Sequence, residues 1–320
     1  MKLHRLLLGL LSAVALSAHA QAFPSKPLTL LVPFTPGGST DMVARVIADK
    51  LQAGLGRTVI VDNRPGAGAQ LAASALLKAD ADGHTLMIGD TGALAVNTSL
   101  YPKLSFDPLK DFAPVTALVS TPLVLVVSPS SKASRATELV AQAQHDPRGV
   151  SYASQGVGTI GHLLGEIFRT RTGGQLQHVA YKGSAPALQD VMGGQVDLLF
   201  DPVSTAWPMI TAGKVRALGV AASRRSPALP QVPTLAEAGV PGVEGSVWWG
   251  VVVKAGTPPA VVERLNAELR KALAHPDVAR RFAELGLDPL PMTPAAFGDF
   301  MKAEAARWTP IVKATGATVN

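Results

Sequence analysis

Between residues 28 and 253 the chain alternates short continuous apolar runs with stretches whose apolar residues recur at helical spacing. Strands buried on both faces and joined by amphipathic helices produce this pattern. Residues 28–34 read as a buried strand, after which Met42, Val43, Val46, Ile47, Leu51 and Leu55 recur as one helical face until Gly54 and Gly56 stop it. Strands at 58–61 and 85–89 with a helix at 70–77 between them continue the β-α series and predict a parallel sheet. A strong strand at 123–127 opens a second series: helix 136–144, strand 150–153, helix 162–171, strand 178–181, helix 185–192 and strand 196–200. Residues 215–221 add a strand, the proline-rich stretch 227–233 a loop, and 247–253 an apolar strand. Helical faces then close the chain, first Val261, Val262, Leu265, Leu269 and Leu273, then Phe297, Phe300, Met301, Ala305, Trp308 and Val312.

If 123–127 and 247–253 are the two crossings, residues 21–124 and 250–320 form one discontinuous domain and residues 125–249 the other, with a cleft between them. The expected fold is therefore α/β and two-domain, with mainly parallel sheets flanked by helices and a hinged cleft that closes on a ligand. No repeat of solenoid period and no low-complexity segment interrupts it.

The first residues change the picture by adding a compartment. Lys2 and Arg5 precede an apolar run at 6–16, and Ala18-His19-Ala20 supplies the small residues a signal peptidase reads. Residues 1–20 are expected to be a cleaved signal peptide, which places the mature protein in the periplasm; a retained anchor is the alternative. The remaining 300 residues exceed one typical core. The chain is 47% apolar and 16% charged and has no cysteine, so an exported protein must rest on its core alone. The net charge of +6 falls to +4 without Lys2 and Arg5 and is spread thinly, with no basic run interleaved with aromatics, so nucleic acid is not an expected partner.

Candidate chemistry sits where strands end and helices begin. Phe34-Thr35-Pro36-Gly37-Gly38-Ser39-Thr40-Asp41 follows the first strand. Its glycines let backbone approach a ligand, and first-turn amides, which have no acceptor inside the helix, can donate to a carboxylate. A single such junction is explained equally well as a tight turn with Ser39, Thr40 or Asp41 capping the helix. Yet the arrangement recurs at 63–69, around Gly68, and at 89–93, around Thr91. The second series answers with Ser154-Gln155-Gly156-Val157-Gly158-Thr159 and Lys182-Gly183-Ser184. Asp201, at a strand end, is a candidate for orienting water or a ligand amino group, or for capping a loop.

Enzyme readings find less support. Residues 156–161 match Gly-x-Gly-x-x-Gly, but the next strand lacks the acidic residue that holds a ribose. No serine has the flanking glycines of a nucleophile elbow, and no histidine can be assigned to Ser154 from sequence. His84, His145, His162, His178 and His275 form no zinc motif; His162 and Glu166 share a helical face, for which a structural bond is the expected use. Neither metal nor cofactor is expected. Trp248 and Trp249 are assigned to packing.

In this order the motifs resemble the Bug or TctC-type substrate-binding proteins of tripartite tricarboxylate transporters over nearly the whole chain after residue 20. Pro36-Gly37-Gly38 with Asp41, Ala44 and Arg45 resembles the first signature and Asn63-Arg64-Pro65-Gly66-Ala67-Gly68 the second. Tyr152, Ser154, Gly156, Gly158, Thr159 and His162 resemble a third, and Tyr181-Lys182-Gly183 with Pro186 and Asp190 a fourth. The stretches 212–218 and 232–239 complete the set. The resemblance implies a type II periplasmic binding fold that captures a di- or tricarboxylate, aromatic acid or acidic amino acid through backbone amides and ordered water. It implies a role for Phe34, Gly37, Gly38, Thr40, Asp41, Gly156, Gly158, Thr159 and Asp201. It also implies a membrane permease as partner; a sensor that reports bound ligand to a membrane receptor is a separate alternative, and a monomer is expected. Two departures stand out: Ala69 replaces a usual glycine and Gln231 a usual aspartate.

Overall fold

The computed structural model describes residues 23–316, so the expected signal peptide at 1–20 lies outside the described residues. Among these residues no helix is long and apolar enough to cross a membrane.

The first sheet runs in the order β2 (Val59–Asn63), β1 (Leu28–Val32), β3 (Thr85–Asp90), β9 (Ser246–Lys254), β4 (Phe112–Val127). β1 pairs in parallel with β2 and β3, as the β-α series requires, while β9 and β4 join antiparallel. The second sheet continues from the far half of β4 through β7 (Leu198–Pro202), β5 (Val150–Ser154) and β6 (Leu176–Ala180), with β8 (Arg216–Val220) on the other side of β4. β10 (Asp288–Pro289) pairs with β4 at Ser120 and Val119.

Helices cover both sheets: α1 (Ser39–Leu55), α2 (Gln70–Lys78), α3 (Asn97–Leu100), α4 (Ala136–His145), α5 (Ile160–Thr172), α6 (Ser184–Met192), α7 (Val203–Thr211), α8 (Pro259–Leu273), α9 (Pro276–Glu284) and α10 (Pro294–Thr315). α1 shows why the sequence pattern works. Val43, Ala44, Ile47, Ala48, Leu51 and Leu55 are buried on one stripe, and Gly56 ends the helix at φ +64°, a conformation that suits a residue without Cβ.

The element that joins the two sheets is β4. Its residues 112–122 pair with β9, and its residues 123–127 pair with β7 and β8. Sequence periodicity finds only the second half, because Pro114 and Pro122 break the run; Pro114 sits at a register shift, where a missing N–H is tolerated. The return crossing falls at Gly245, whose N–H bonds Ala221 O at 2.9 Å and whose carbonyl accepts Leu123 N–H. All of the predicted strand 247–253 therefore stays beside β3 and β4 in the first sheet. Several further elements escape the sequence pattern, among them α3, α9 and β10. α7 contains Pro208, which a helix interior disfavours, and a π-helical turn, Gly92–Val96, is buried on every side and so has no amphipathic period.

Trp248 and Trp249 are adjacent on β9 and therefore point to opposite faces. Trp248 packs edge-on to Phe297 and Phe300 under α10 and donates to Glu304 at 2.9 Å. The Phe297 ring occupies the space left by Gly250, where a Cβ would lie 2.1 Å from the ring. Phe297→Ala empties this fully buried seat and is expected to lower stability by about 3–5 kcal/mol in urea denaturation, whereas Phe297→Leu costs under about 2 kcal/mol.

Candidate functional site

The first wall of the cleft is the turn between β1 and α1. Gly37 takes φ +83° and gives its N–H to Asp41 Oδ2 at 3.0 Å. Asp41 also accepts Arg45 Nε at 2.9 Å and Asn63 Nδ2 at 3.0 Å, and the same Asn63 amide bonds Phe34 O. Burial pushes the Asp41 carboxyl up, but Arg45, the Gly37 N–H and Asn63 together hold it below the usual carboxylate range. Asp41 is thus the clamp that shapes the turn, and it does not line the cleft. Gly38 takes the N-cap position with no side chain to offer, so neither Ser39 nor Thr40 caps α1. Ser39 Oγ instead meets Thr205 and Ser204 Oγ at 3.1 Å each, and Thr40 Oγ1 accepts the indole N–H of Trp249 at 2.8 Å. The N–H groups of Gly38, Ser39 and Thr40 have no protein acceptor among the described residues.

The facing wall is the turn between β5 and α5. Thr159 caps α5, accepting from His162 N and donating to Gly156 O at 2.7 Å. Here most loop amides are already engaged: Gly156 N–H goes to Ser154 Oγ at 3.1 Å and Gly158 N–H to His162 Nδ1 at 3.3 Å. The first-turn amides of Ile160 and Gly161 remain free of protein acceptors among the described residues. Ser154 Oγ pairs with His178 Nε2 at 2.6 Å, a partner that sequence does not reveal. Ser154 is fully buried, and His178 is stacked on His162 and Tyr152, its pKa pushed down to about 4 by burial and by His162. The pair fixes the loop; it does not face the cleft. Glu166 accepts the Tyr152 hydroxyl beneath the same stack.

Between the walls lie two connected chambers. The smaller, about 30 Å³, is lined by Gly38, Ser39, Thr40, Ile160, Gly161 and Trp249 among others. The larger, about 240 Å³, is lined by Gly68, Asn97, Tyr101, Gly156, Gly158 and Lys182 among others. Phe34, Asp90, Gln155 and Thr159 border both. The first turn also touches the turn between β6 and α6, since Thr35 N–H bonds Lys182 O at 3.0 Å. Gly37 lines neither chamber, and nor do Thr91, Ser154 and Asp201. Thr91 exchanges hydrogen bonds with the Trp248 backbone. Asp201, fully buried, receives Gln155 Nε2 at 2.9 Å and the Thr205 hydroxyl, and through Thr205 it reaches Ser39.

Asp90, Gln155, Asn97 and Trp249 border the chambers although motif reading passes over them. Trp249 reaches the smaller chamber from β9, with its indole N–H held by Thr40. Ala69 has φ +72°, so the usual glycine geometry survives its replacement at a strain of roughly 1–2 kcal/mol. Gly68 at φ +59° is required by contact as well, since a Cβ there would lie 2.3 Å from the Tyr101 hydroxyl.

Burial raises the Asp90 carboxyl to about 6, against the pull of the Ala93 and Gly92 amides, and raises Asp201 to about 6, against Ser184, Thr205 and Gln155. Each stays protonated in the fold at pH values where the unfolded chain is ionised. Their stabilisation is fully present below the ordinary aspartate value of 3.8 and is lost as pH rises to about 6. Unfolding free energies from urea denaturation should therefore fall between pH 4.5 and 6.5 relative to Asp90→Asn and Asp201→Asn, by roughly 2 kcal/mol per group. Variants that keep the wild-type slope contradict the assignment.

With this geometry in view, relationships to known proteins become specific. The family model of the tripartite tricarboxylate transporter family receptor, TctC, matches residues 43–317. A protein of the tcbD-tcbE intergenic region of Pseudomonas sp. strain P51 is 42% identical over 96% of this chain and 93% of its own length. BugT of Bordetella pertussis is 39% identical over 97% and 95%. Among solved structures, a periplasmic transporter superposes with a TM-score of 0.89 at 38% identity, over 93% of this chain and all of its own. An R. palustris protein with adipate gives 0.88 at 38%, over 92% and 98%. MatC from Rhodopseudomonas palustris with bound malate gives 0.85 at 34%, over 91% and 100%. The fold is accordingly the two-domain α/β fold of periplasmic binding proteins. The chain belongs to the TctC family of tripartite tricarboxylate transporter receptors, whose members include the Bug proteins.

Proposed function

We propose that this protein is a periplasmic receptor that holds a small carboxylate between its two domains and delivers it to membrane permease subunits of a tripartite transporter. The observation that carries the reading is the pair of helix starts, α1 and α5, whose unengaged first-turn amides border one small chamber. Such amides, helped by the helix dipoles, suit a carboxylate and its bridging water. Relatives solved with adipate and with malate support the same ligand class.

In this reading Phe34, Gly38, Ser39, Thr40, Gly68, Gly156, Gly158 and Thr159 form the binding surface. Gly37, Asp41, Thr91, Ser154 and Asp201 hold its walls in place. Residues 1–20 act as the export signal. The domains divide at residues 122–123 and near residue 245, where β4 and the chain before β9 pass between the sheets, and these two strands of backbone serve as the hinge.

Thermal-shift screening of the chain from residue 21 against dicarboxylates tests the reading, because a tight ligand raises the melting temperature by mass action. At least one small dicarboxylate is expected to raise it by several degrees, and a screen in which none does contradicts the proposal. Gly38→Val should weaken that acid at least about tenfold, equivalent to about 1.4 kcal/mol. A Cβ at residue 38 meets Ser184 N at 3.6 Å and Thr35 O at 3.8 Å, ordinary contact distances, and residue 38 lines the smaller chamber; a melting curve of the free variant checks that it folds. Unchanged affinity would remove the first turn from the site.

A further inference from the structure

The larger chamber holds a buried acceptor, Asn97, that the smaller lacks. Asn97, 2% exposed, donates its Nδ2 to Gly68 O at 2.8 Å, which fixes the amide's orientation and leaves Oδ1 facing Gly158 with no hydrogen-bond partner. A Cβ built on Gly158 would lie 2.3 Å from that oxygen, so the aim is toward the cleft wall that Gly158 forms. A buried acceptor left unpaired costs about 1–3 kcal/mol, and a donor arriving from a ligand recovers it. Asp90 borders the same chamber with a carboxylate that accepts only backbone N–H groups, Ala93 at 2.9 Å among them. The Gln155 amide spends its N–H groups on Phe200 O and Asp201 and its Oε1 on the Thr159 hydroxyl, so Asn97 and Asp90 carry the acceptor character of this chamber. Of the cations, only Lys182 lines this chamber, and its side chain is exposed at the rim.

We infer that the larger chamber is a subsite for a hydrogen-bond donor on the bound acid, a hydroxyl or an ammonium group received by Asn97 Oδ1 and Asp90. This rests on the carboxylate reading above and adds to it. The acid's carboxylate faces the amides of the small chamber, and the donor group beyond it faces acceptors. An acid lacking that donor leaves Asn97 Oδ1 unpaired and is discriminated against, because a site built to receive a donor rejects an analogue without one.

Three acids of the same carbon skeleton separate the possibilities: succinate, malate and aspartate carry hydrogen, hydroxyl and ammonium at one position. Isothermal titration of the chain from residue 21 at pH 7.5 is expected to show malate or aspartate binding at least about tenfold tighter than succinate. Malate ahead of aspartate identifies a hydroxyl subsite, and the reverse an ammonium subsite. Asp90→Asn keeps an acceptor for the Ala93 N–H and should erase an aspartate preference while sparing a malate preference. Asn97→Leu should bring the favoured acid to within about twofold of succinate; if it does not fold, the wild-type comparison decides alone. Succinate bound as tightly as the other two overturns the donor subsite and leaves the carboxylate reading standing. Failure of all three acids, and of adipate, to bind overturns both.

Discussion

A helix cannot satisfy the N–H groups of its own first turn, and the rest of this molecule depends on how that constraint is met. At α1 the N-cap is a glycine with no side chain to offer, and at α5 the cap Thr159 satisfies only His162. Two sets of donors are thereby left facing one small chamber. Bringing them face to face requires that each helix follow a parallel strand in a different sheet and that the sheets share a strand. β4 supplies that shared strand, and the antiparallel β9 locks it to the first sheet. The buried stripes of α1, α8 and α10 then hold the first sheet rigid enough to keep Gly38 to Thr40 in place.

Around those donors the chain invests in side chains that never touch the chamber. Asp41 draws Gly37, Arg45 and Asn63 into one clamp, and Asn63 reaches on to Phe34 O, so the first turn is fixed from behind. On the other wall Ser154, His178, His162 and Tyr152 form a neutral stack that fixes Gly156 and Gly158. Asp201 links the walls through Thr205 and Ser39. Specific recognition by backbone amides needs this kind of support, because the amides carry no side chain to select one conformation.

Most of the β-α order was legible in the sequence because parallel strands are continuous apolar runs and helices carry a 3.6-residue period. What stayed hidden was of two kinds. Pro114, Pro122 and Pro208 broke patterns that tertiary pairing restores, and residues 92–96 are buried on all sides and so show no period. The site divided in the same way. Glycine-rich turns at strand ends pointed to both walls, but which amides are free depends on bonds no spacing reveals: those of Gly37, Gly156 and Gly158 are consumed by Asp41, Ser154 and His162. Asn97 carries no motif and Asp90 lies in one centred on Thr91, and their importance comes from burial and from the chamber they border. Trp249 does pack in the core as Trp248 does on the opposite face, and its edge on the chamber comes with the Thr40 bond, which no spacing reveals.

The central claim is that the free first-turn amides of α1 and α5 receive the carboxylate. Amide resonances in a ¹⁵N–¹H correlation spectrum, followed while the dicarboxylate giving the largest thermal shift is added, test this directly. The account predicts that the amide protons of Gly38, Ser39, Thr40, Ile160 and Gly161 move downfield together as hydrogen bonds form. Saturable binding that leaves these five unmoved, with the changes confined to other residues, would contradict it.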